Sequence, residues 1–333
     1  TTFFVSDLNE LSENQIHLSS NLSKTINGLP FSLEIELNDY LNYNNTDSKF
    51  ESTNVQSFHF SPSTSLTKYG FDFDLGLEFH YLSDDTPFEI FPQIKATKEL
   101  VKDILLVYGG LRHREQRHTL KSLSDDNPYI HSYGINQAIF SGNTVLQNLK
   151  TTDTDELYIA IRNVLSVDEV FRGSIAYGKV QDFAHFFALK NENYNRFKLD
   201  YLDVSQLHIN VNYDRKINAI VSLNVNADYY KWDNIVYHKP NFVFTVSAPV
   251  NLRNKIKVSP SLTYSGERES ISYSFSELGF LSQTPMFKDL LPQLHVNLGL
   301  YYLYSKQLSA YFKLNNLTNS KQDIWSGYKE IGF

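Results

Sequence analysis

The run Leu207-His208-Ile209-Asn210-Val211-Asn212-Tyr213-Asp214 alternates apolar and polar residues without a break. Beyond a three-residue turn that includes Arg215 and Lys216, the alternation resumes. Ile217, Ala219, Val221, Leu223, Val225, Ala227 and Tyr229 stand against Asn218, Ser222, Asn224, Asn226 and Asp228. Successive side chains of a strand point to opposite faces, so each run has one apolar face and one wet face. The wet face is mostly neutral amide and hydroxyl, which suits the wall of a water-filled lumen. Strands of soluble sandwiches show the same pattern, usually over about five or six residues. Strands that cross a bilayer need roughly 9–11 residues at a steep tilt, and these runs supply that length.

The rest of the chain repeats the theme. Ile16, Leu18 and Leu22 alternate with polar residues up to Asn27-Gly28, a strong hairpin signal because both residues tolerate positive φ. Phe31, Leu33, Ile35 and Leu37 follow. Val55 to Leu66 is a weaker strand because Pro62 interrupts it. After Tyr69-Gly70, Phe71, Phe73, Leu75, Leu77, Phe79 and Tyr81 oppose Asp72, Asp74, Gly76, Glu78 and His80. Hairpins are expected at 90–112, 157–177, 242–264 and 294–317, with a short helix at 144–149. The expected fold is all-β, a transmembrane antiparallel up-and-down β-barrel of at least 14 strands, 16 or more if terminal strands are missing. Residues 1–333 read as one barrel domain, incomplete at one or both ends. Stretches 113–155, 179–196 and 266–292 read as long extracellular loops, because short turns on one side and long loops on the other mark bacterial outer-membrane barrels.

Composition agrees. The 333 residues include 24 Phe and 22 Tyr, as aromatic girdles require, and no Cys, which excludes disulfides and thiolate metal sites. A formal charge of -7 argues against nucleic acid as a partner. Mean hydropathy is -0.34, as expected when half of every strand faces water.

The C-terminal run Leu308-Ser309-Ala310-Tyr311-Phe312-Lys313-Leu314, with Trp325-Ser326-Gly327-Tyr328 and Gly332-Phe333, resembles the last strands of TonB-dependent receptors. More closely it is similar to the TonB-receptor-like barrels of the Bacteroidetes that lack a recognisable plug. Asn127-Pro128-Tyr129-Ile130, Phe186-Phe187, the Phe197-to-Asp203 strand and, more loosely, Trp232 with His238-Lys239-Pro240 also match. The resemblance implies an integral protein of the bacterial outer membrane, in contact with lipid and lipopolysaccharide. It does not carry energised uptake with it, because neither a plug nor a TonB box is recognisable in the sequence.

Asp72, Asp74, Glu78 and His80 share one polar face, where carboxylates two apart can bind a hard cation or steer cations through a pore. A solvated wall neutralised by neighbouring bases explains the same residues, with Arg172, Lys95 and Lys313 on polar faces as partners. Arg112, Arg114 and Arg117, with His113 and His118, form a basic cluster where an outside loop is expected to start. They are candidates for lipopolysaccharide phosphate or a partner's acidic surface. His113 and His118 are five apart with no third ligand evident, so no metal site and no cofactor is expected. No G-x-S-x-G or similar nucleophile motif occurs, and no enzyme activity is expected. The leading functional expectation is a TonB-receptor-like channel or passive transporter for small solutes. The alternative is a structural barrel subunit of a multi-protein outer-membrane assembly, binding other outer-membrane proteins or lipoproteins.

Overall fold

The computed structural model describes residues 2–8, 11–44, 53–83, 88–130, 149–191, 194–274 and 285–331. The first half is a run of hairpins: β1 (Thr2–Leu8), β2 (Leu11–Ile26), β3 (Leu29–Asn44), β4 (Thr53–Lys68), β5 (Phe71–Leu82), β6 (Glu89–Val101) and β7 (Leu105–Arg117). A short helix, α1 (Leu120–Asp126), precedes β8 (Thr151–Ser166), β9 (Glu169–Asn191), β10 (Tyr194–Lys216) and β11 (Ser222–Trp232). Then come β12 (Phe242–Ser247), β13 (Val250–Leu252), β14 (Ile256–Ser265), β15 (Arg268–Ser274), β16 (Met286–Leu290), β17 (Gln293–Leu303) and β18 (Ser309–Leu314). These eighteen strands make one sheet, and β19 (Asp323–Trp325) with β20 (Tyr328–Lys329) makes a separate hairpin. Consecutive strands pair antiparallel from β1 through β12, the ladder continues through β14, β17 and β18, and β13 prolongs the β12 side of β14. The β15–β16 hairpin lies off this ladder and joins β9 through a short parallel contact, Ser272 opposite Ala188.

Turn chemistry sets the register. Asn27 and Gly28 both have positive φ (51° and 82°), as do Tyr69 and Gly70 (55° and 72°). Each pair closes a two-residue hairpin, with Ile26 opposite Leu29 and Lys68 opposite Phe71. Pro62 does not end β4. Its missing N–H leaves a gap in the β4–β5 ladder between the pairs Phe60–Phe79 and Ser63–Gly76.

The two faces of the sheet differ as the alternation requires. One apolar row runs across five strands: Ile159 opposite Ile175, Ile175 opposite Ile209, Ile209 opposite Tyr229, and Tyr229 opposite Phe242. Leu157, Ile159 and Ile175 are 61%, 56% and 48% exposed, so this face looks outward, and among the described residues no protein layer covers it. The polar face is concave. Strands β4 and β7 are three steps apart, about 14 Å along a flat sheet, yet His59 of β4 lies 3.0 Å from Glu115 of β7. Arg117 of β7 likewise reaches to 5.7 Å from the ring of Tyr40 on β3. Only a sheet strongly curled toward its polar side brings these residues together. Glycine permits the closest approach: a Cβ on Gly110 would stand 1.7 Å from the Ile94 carbonyl oxygen of β6.

Several expectations need correction. Residues 179–196 are not irregular chain, because β9 continues to Asn191 and β10 starts at Tyr194. The stretch 113–155 begins with the end of β7, carries α1 and ends in β8, while 266–292 contains β15 and β16. The central hairpin turns later than its alternation implies. Lys216 pairs with Ser222, and Ile217 donates its N–H to the Val221 carbonyl, so 217–221 is the turn. The helix expected at 144–149 falls almost wholly outside the described residues, as do Gly332 and Phe333.

Candidate functional site

The polar face carries two networks and a cap. In the first network, Arg172 of β9 donates to Asn212 Oδ1 (2.9 Å) and Asp214 Oδ2 (2.5 Å) of β10. Asn224 of β11 donates to the other oxygen of Asp214 at 2.7 Å. One step further up, Asp228 accepts from Asn210 (2.8 Å) and Asn226 (2.6 Å) and sits 2.9 Å from His208 Nε2. His208 stacks on Tyr230, which stacks on Trp232, with ring centroids 4.3 and 5.5 Å apart. The amides therefore serve as cross-strand links between charged groups rather than as inert filler.

The second network lies on β4 to β7. Thr67 donates to Asp72 (2.6 Å) and Ser65 to Asp74 (2.7 Å), while Lys95 Nζ of β6 is 3.2 Å from Asp74 Oδ2. Glu78 accepts from Gln93 at 2.5 Å and faces His59 Nδ1 at 3.4 Å. His59 and His80, opposite each other across the β4–β5 ladder, stack with centroids 4.2 Å apart. Both rings point at Glu115: His59 Nε2 is 3.0 Å from one carboxylate oxygen and His80 Nε2 is 3.3 Å from the other. A cavity of about 410 Å³ opens beside them, lined among others by Glu36, Tyr40, Ser57, His59, Glu78 and Glu115.

Of the residues singled out in the sequence, Asp72, Asp74, Glu78 and His80 do share one face, and Lys95 neutralises Asp74. Arg172 does not join them but pairs with Asp214, and Lys313 stands opposite Gly299 on the other arm of the sheet. Arg112, Arg114 and Arg117 are not loop residues. All three sit on β7, because Arg112 to Arg117 pair with Glu156 to Thr151 of β8. Arg112 Nε and Arg114 Nη2 both contact Glu156 Oε1, the latter at 2.9 Å, and Arg117 donates to Thr151 at 3.3 Å. Sequence reading missed His59, Glu115 and Gln93. The first carried one usable signal, a position on the polar face of β4 among serines; the other two depend on how β6 and β7 curl.

The cap lies at the long-connection end of the sheet. Asn127 closes α1, and Tyr129, Ile130, Phe186, Phe197, His238, Trp325 and Tyr328 converge there from five segments. Trp325 meets Phe186 and Phe197 edge-on at 5.5 and 5.2 Å, and Tyr129 stacks on Tyr328 at 3.6 Å. Arg268 holds the β19–β20 hairpin by donating to the carbonyls of Ile324 (2.7 Å) and Asp323 (2.9 Å). His238 donates from Nδ1 to the Phe186 carbonyl at 3.1 Å, and burial beneath the cap pushes its pKa down to about 3. His118, bonded to Thr152 at 2.7 Å, is held at about 4 by the same cause.

The curl of the sheet, its meander order and its two-faced strands can be compared with solved structures. The fold is TonB-receptor-like. The ferric enterobactin receptor PfeA of Pseudomonas aeruginosa, in complex with BCV-L6, superposes with a TM-score of 0.64 at 12% identity, over 97% of this chain and 53% of that one. The siderophore receptor PirA of Acinetobacter baumannii gives 0.61 at 12% identity, over 98% and 55%. The FpvAI–pyocin S2 complex gives 0.60 at 10% identity, over 97% and 46%. The chain thus spans about half the length of the receptors it matches. No family model and no curated protein matches the sequence. The sheet has the antiparallel up-and-down fold of these receptor barrels, and among the described residues no helix is long and apolar enough to cross a membrane.

Proposed function

We propose that this barrel sits in a bacterial outer membrane and passes small polar solutes along its concave face, as a channel or passive transporter without enzyme activity. The observation that carries this reading is the division between the faces. An uncovered apolar belt meets lipid, while a ladder of Asp, Glu, Asn, Arg and His side chains lines the inside. The neighbouring structures, siderophore receptors and an FpvAI–pyocin S2 complex, support a transporter or receptor kind. Asp72, with Asp74 and Glu78 in part offset by Lys95 and His59, gives the inner wall of β5 an acidic character that favours cations.

Planar-bilayer recording of the purified protein tests this. Discrete conductance with cation preference is expected, and Asp72→Asn with Asp74→Asn should shift the reversal potential toward zero selectivity. Folded protein that inserts and remains silent would overturn the channel reading. The aromatic cap favours a second reading, a structural subunit of an outer-membrane assembly, because a packed lid at one end suits docking better than passage. Silent insertion together with stoichiometric co-purifying outer-membrane proteins would support that alternative.

A further inference from the structure

We propose that His59, His80 and Glu115 form a binding site for a divalent first-row transition-metal ion of the zinc class. This goes beyond the transport reading and does not depend on it. The donor set is two imidazole nitrogens and a carboxylate, which suits such ions and is poorly suited to calcium or magnesium. Their ligand atoms all lie within 4.8 Å of one another. An ion held tetrahedrally at ~2.0–2.1 Å from each donor would space its ligands about 3.3 Å apart. The separations of 3.0 and 3.3 Å between the histidine Nε2 atoms and the two Glu115 oxygens already approach that spacing.

Three further observations point to a bound cation. His80 is 3% exposed, and its Nε2 makes no hydrogen bond. A buried nitrogen aimed at a carboxylate oxygen 3.3 Å away and left without a hydrogen bond carries a desolvation cost that a metal ion would relieve. Next, His59 has the outer support typical of metal-bound histidine: its Nδ1 faces Glu78, which is itself fixed by Gln93. With an ion bound, that contact would hold the proton on Nδ1 and turn Nε2, now facing Glu115, to the metal. Finally, the cavity beside His59 and Glu115 provides an entry path and room for a water or solute in a fourth position. Side chains from three different strands make this a site of the folded barrel, absent from the unfolded chain.

Equilibrium dialysis of the purified, tag-free protein in detergent against zinc alone tests the inference, with cobalt absorption as a second readout. One equivalent of zinc per chain is expected, together with the visible d–d bands of low-symmetry cobalt. His80→Gln and Glu115→Gln should each abolish stoichiometric binding, Glu78→Gln should weaken it ~10–100-fold, and His17→Gln should leave it unchanged. Heat-dependent gel mobility establishes that each variant is folded, and His59→Asn replaces any that is not. Absence of zinc binding in the unaltered protein would overturn the site, as would folded His80→Gln and Glu115→Gln variants that bind zinc as before.

Discussion

His238 illustrates how one residue reports on the packing around it. It lies in the connection after β11, its backbone is in the left-handed region (φ 63°), and its ring contacts Trp325 at 4.9 Å and Phe197 at 5.3 Å. Burial lowers its pKa first, and the positive groups of Arg268, His185 and Lys190 lower it further, against the Phe186 carbonyl that raises it. The unfolded chain takes up a proton near pH 6.5 and the folded cap does not until about pH 3. His238 therefore supports the cap fully above about pH 6.5, and that support falls as pH drops toward 3, by a few kcal/mol at most (~1.36 kcal/mol per pKa unit). His118 acts in the same direction down to about pH 4. With Trp232→Phe leaving Trp325 as the sole tryptophan, its fluorescence should change on acidification from pH 7 to 4. His238→Gln should blunt the change, and an unaltered titration in that variant would show that the cap does not depend on this ring.

At the scale of elements, the alternating strands have separable faces. Val211 pairs with Ala227 on the apolar face of β10, five residues from the end of the strand, and in the proposed orientation it lies near mid-bilayer. Val211→Arg should block membrane assembly, since a lipid-facing Arg there costs roughly 2–4 kcal/mol. Asn224→Arg, on the inner face beside Asp214, should assemble normally, and both are read by heat-modifiable gel mobility of the membrane fraction. Strands such as β5 were legible because one face is buried or lipid-facing and the other wet, which writes period two into the sequence. The upper parts of β9 and β10 were not. Phe186, Ala188 and Leu189 are all buried, with Phe187 at 5.3 Å from Tyr273 of β15 and Phe186 beneath Trp325. Burial on both faces removes the alternation, so the stretch reads as loop. The turn at 217–221 was misread for the opposite reason: Ile217 and Ala219 are exposed turn residues whose spacing imitates a strand. The acidic face of β5 was visible from spacing alone, and so was a base to neutralise Asp74. His59 and Glu115 were not, because their meeting depends on cross-strand register and on curling three strands away, neither of which is local.

For the whole molecule, scattered motifs acquire a common place. Asn127-Pro128-Tyr129-Ile130, Phe186, Phe197, His238 and Trp325 to Tyr328 matched receptor barrels piecemeal, and in three dimensions they form one cap. Trp325 and Tyr328 are not part of a last ladder strand but of the β19–β20 hairpin folded over that end, held by Arg268. The central claim is that the sheet turns its apolar face to lipid and its polar face to a water-filled interior. A chain without cysteine allows a direct measurement. Single cysteines at Ile209, Asn210, Val211 and Asn212 would be exposed, in intact membranes, to a small charged thiol reagent. Asn210→Cys and Asn212→Cys should label while Ile209→Cys and Val211→Cys stay unmodified and are instead quenched by a lipid-soluble probe. Equal labelling along the strand, or the reverse alternation, would contradict a transmembrane barrel with this facing.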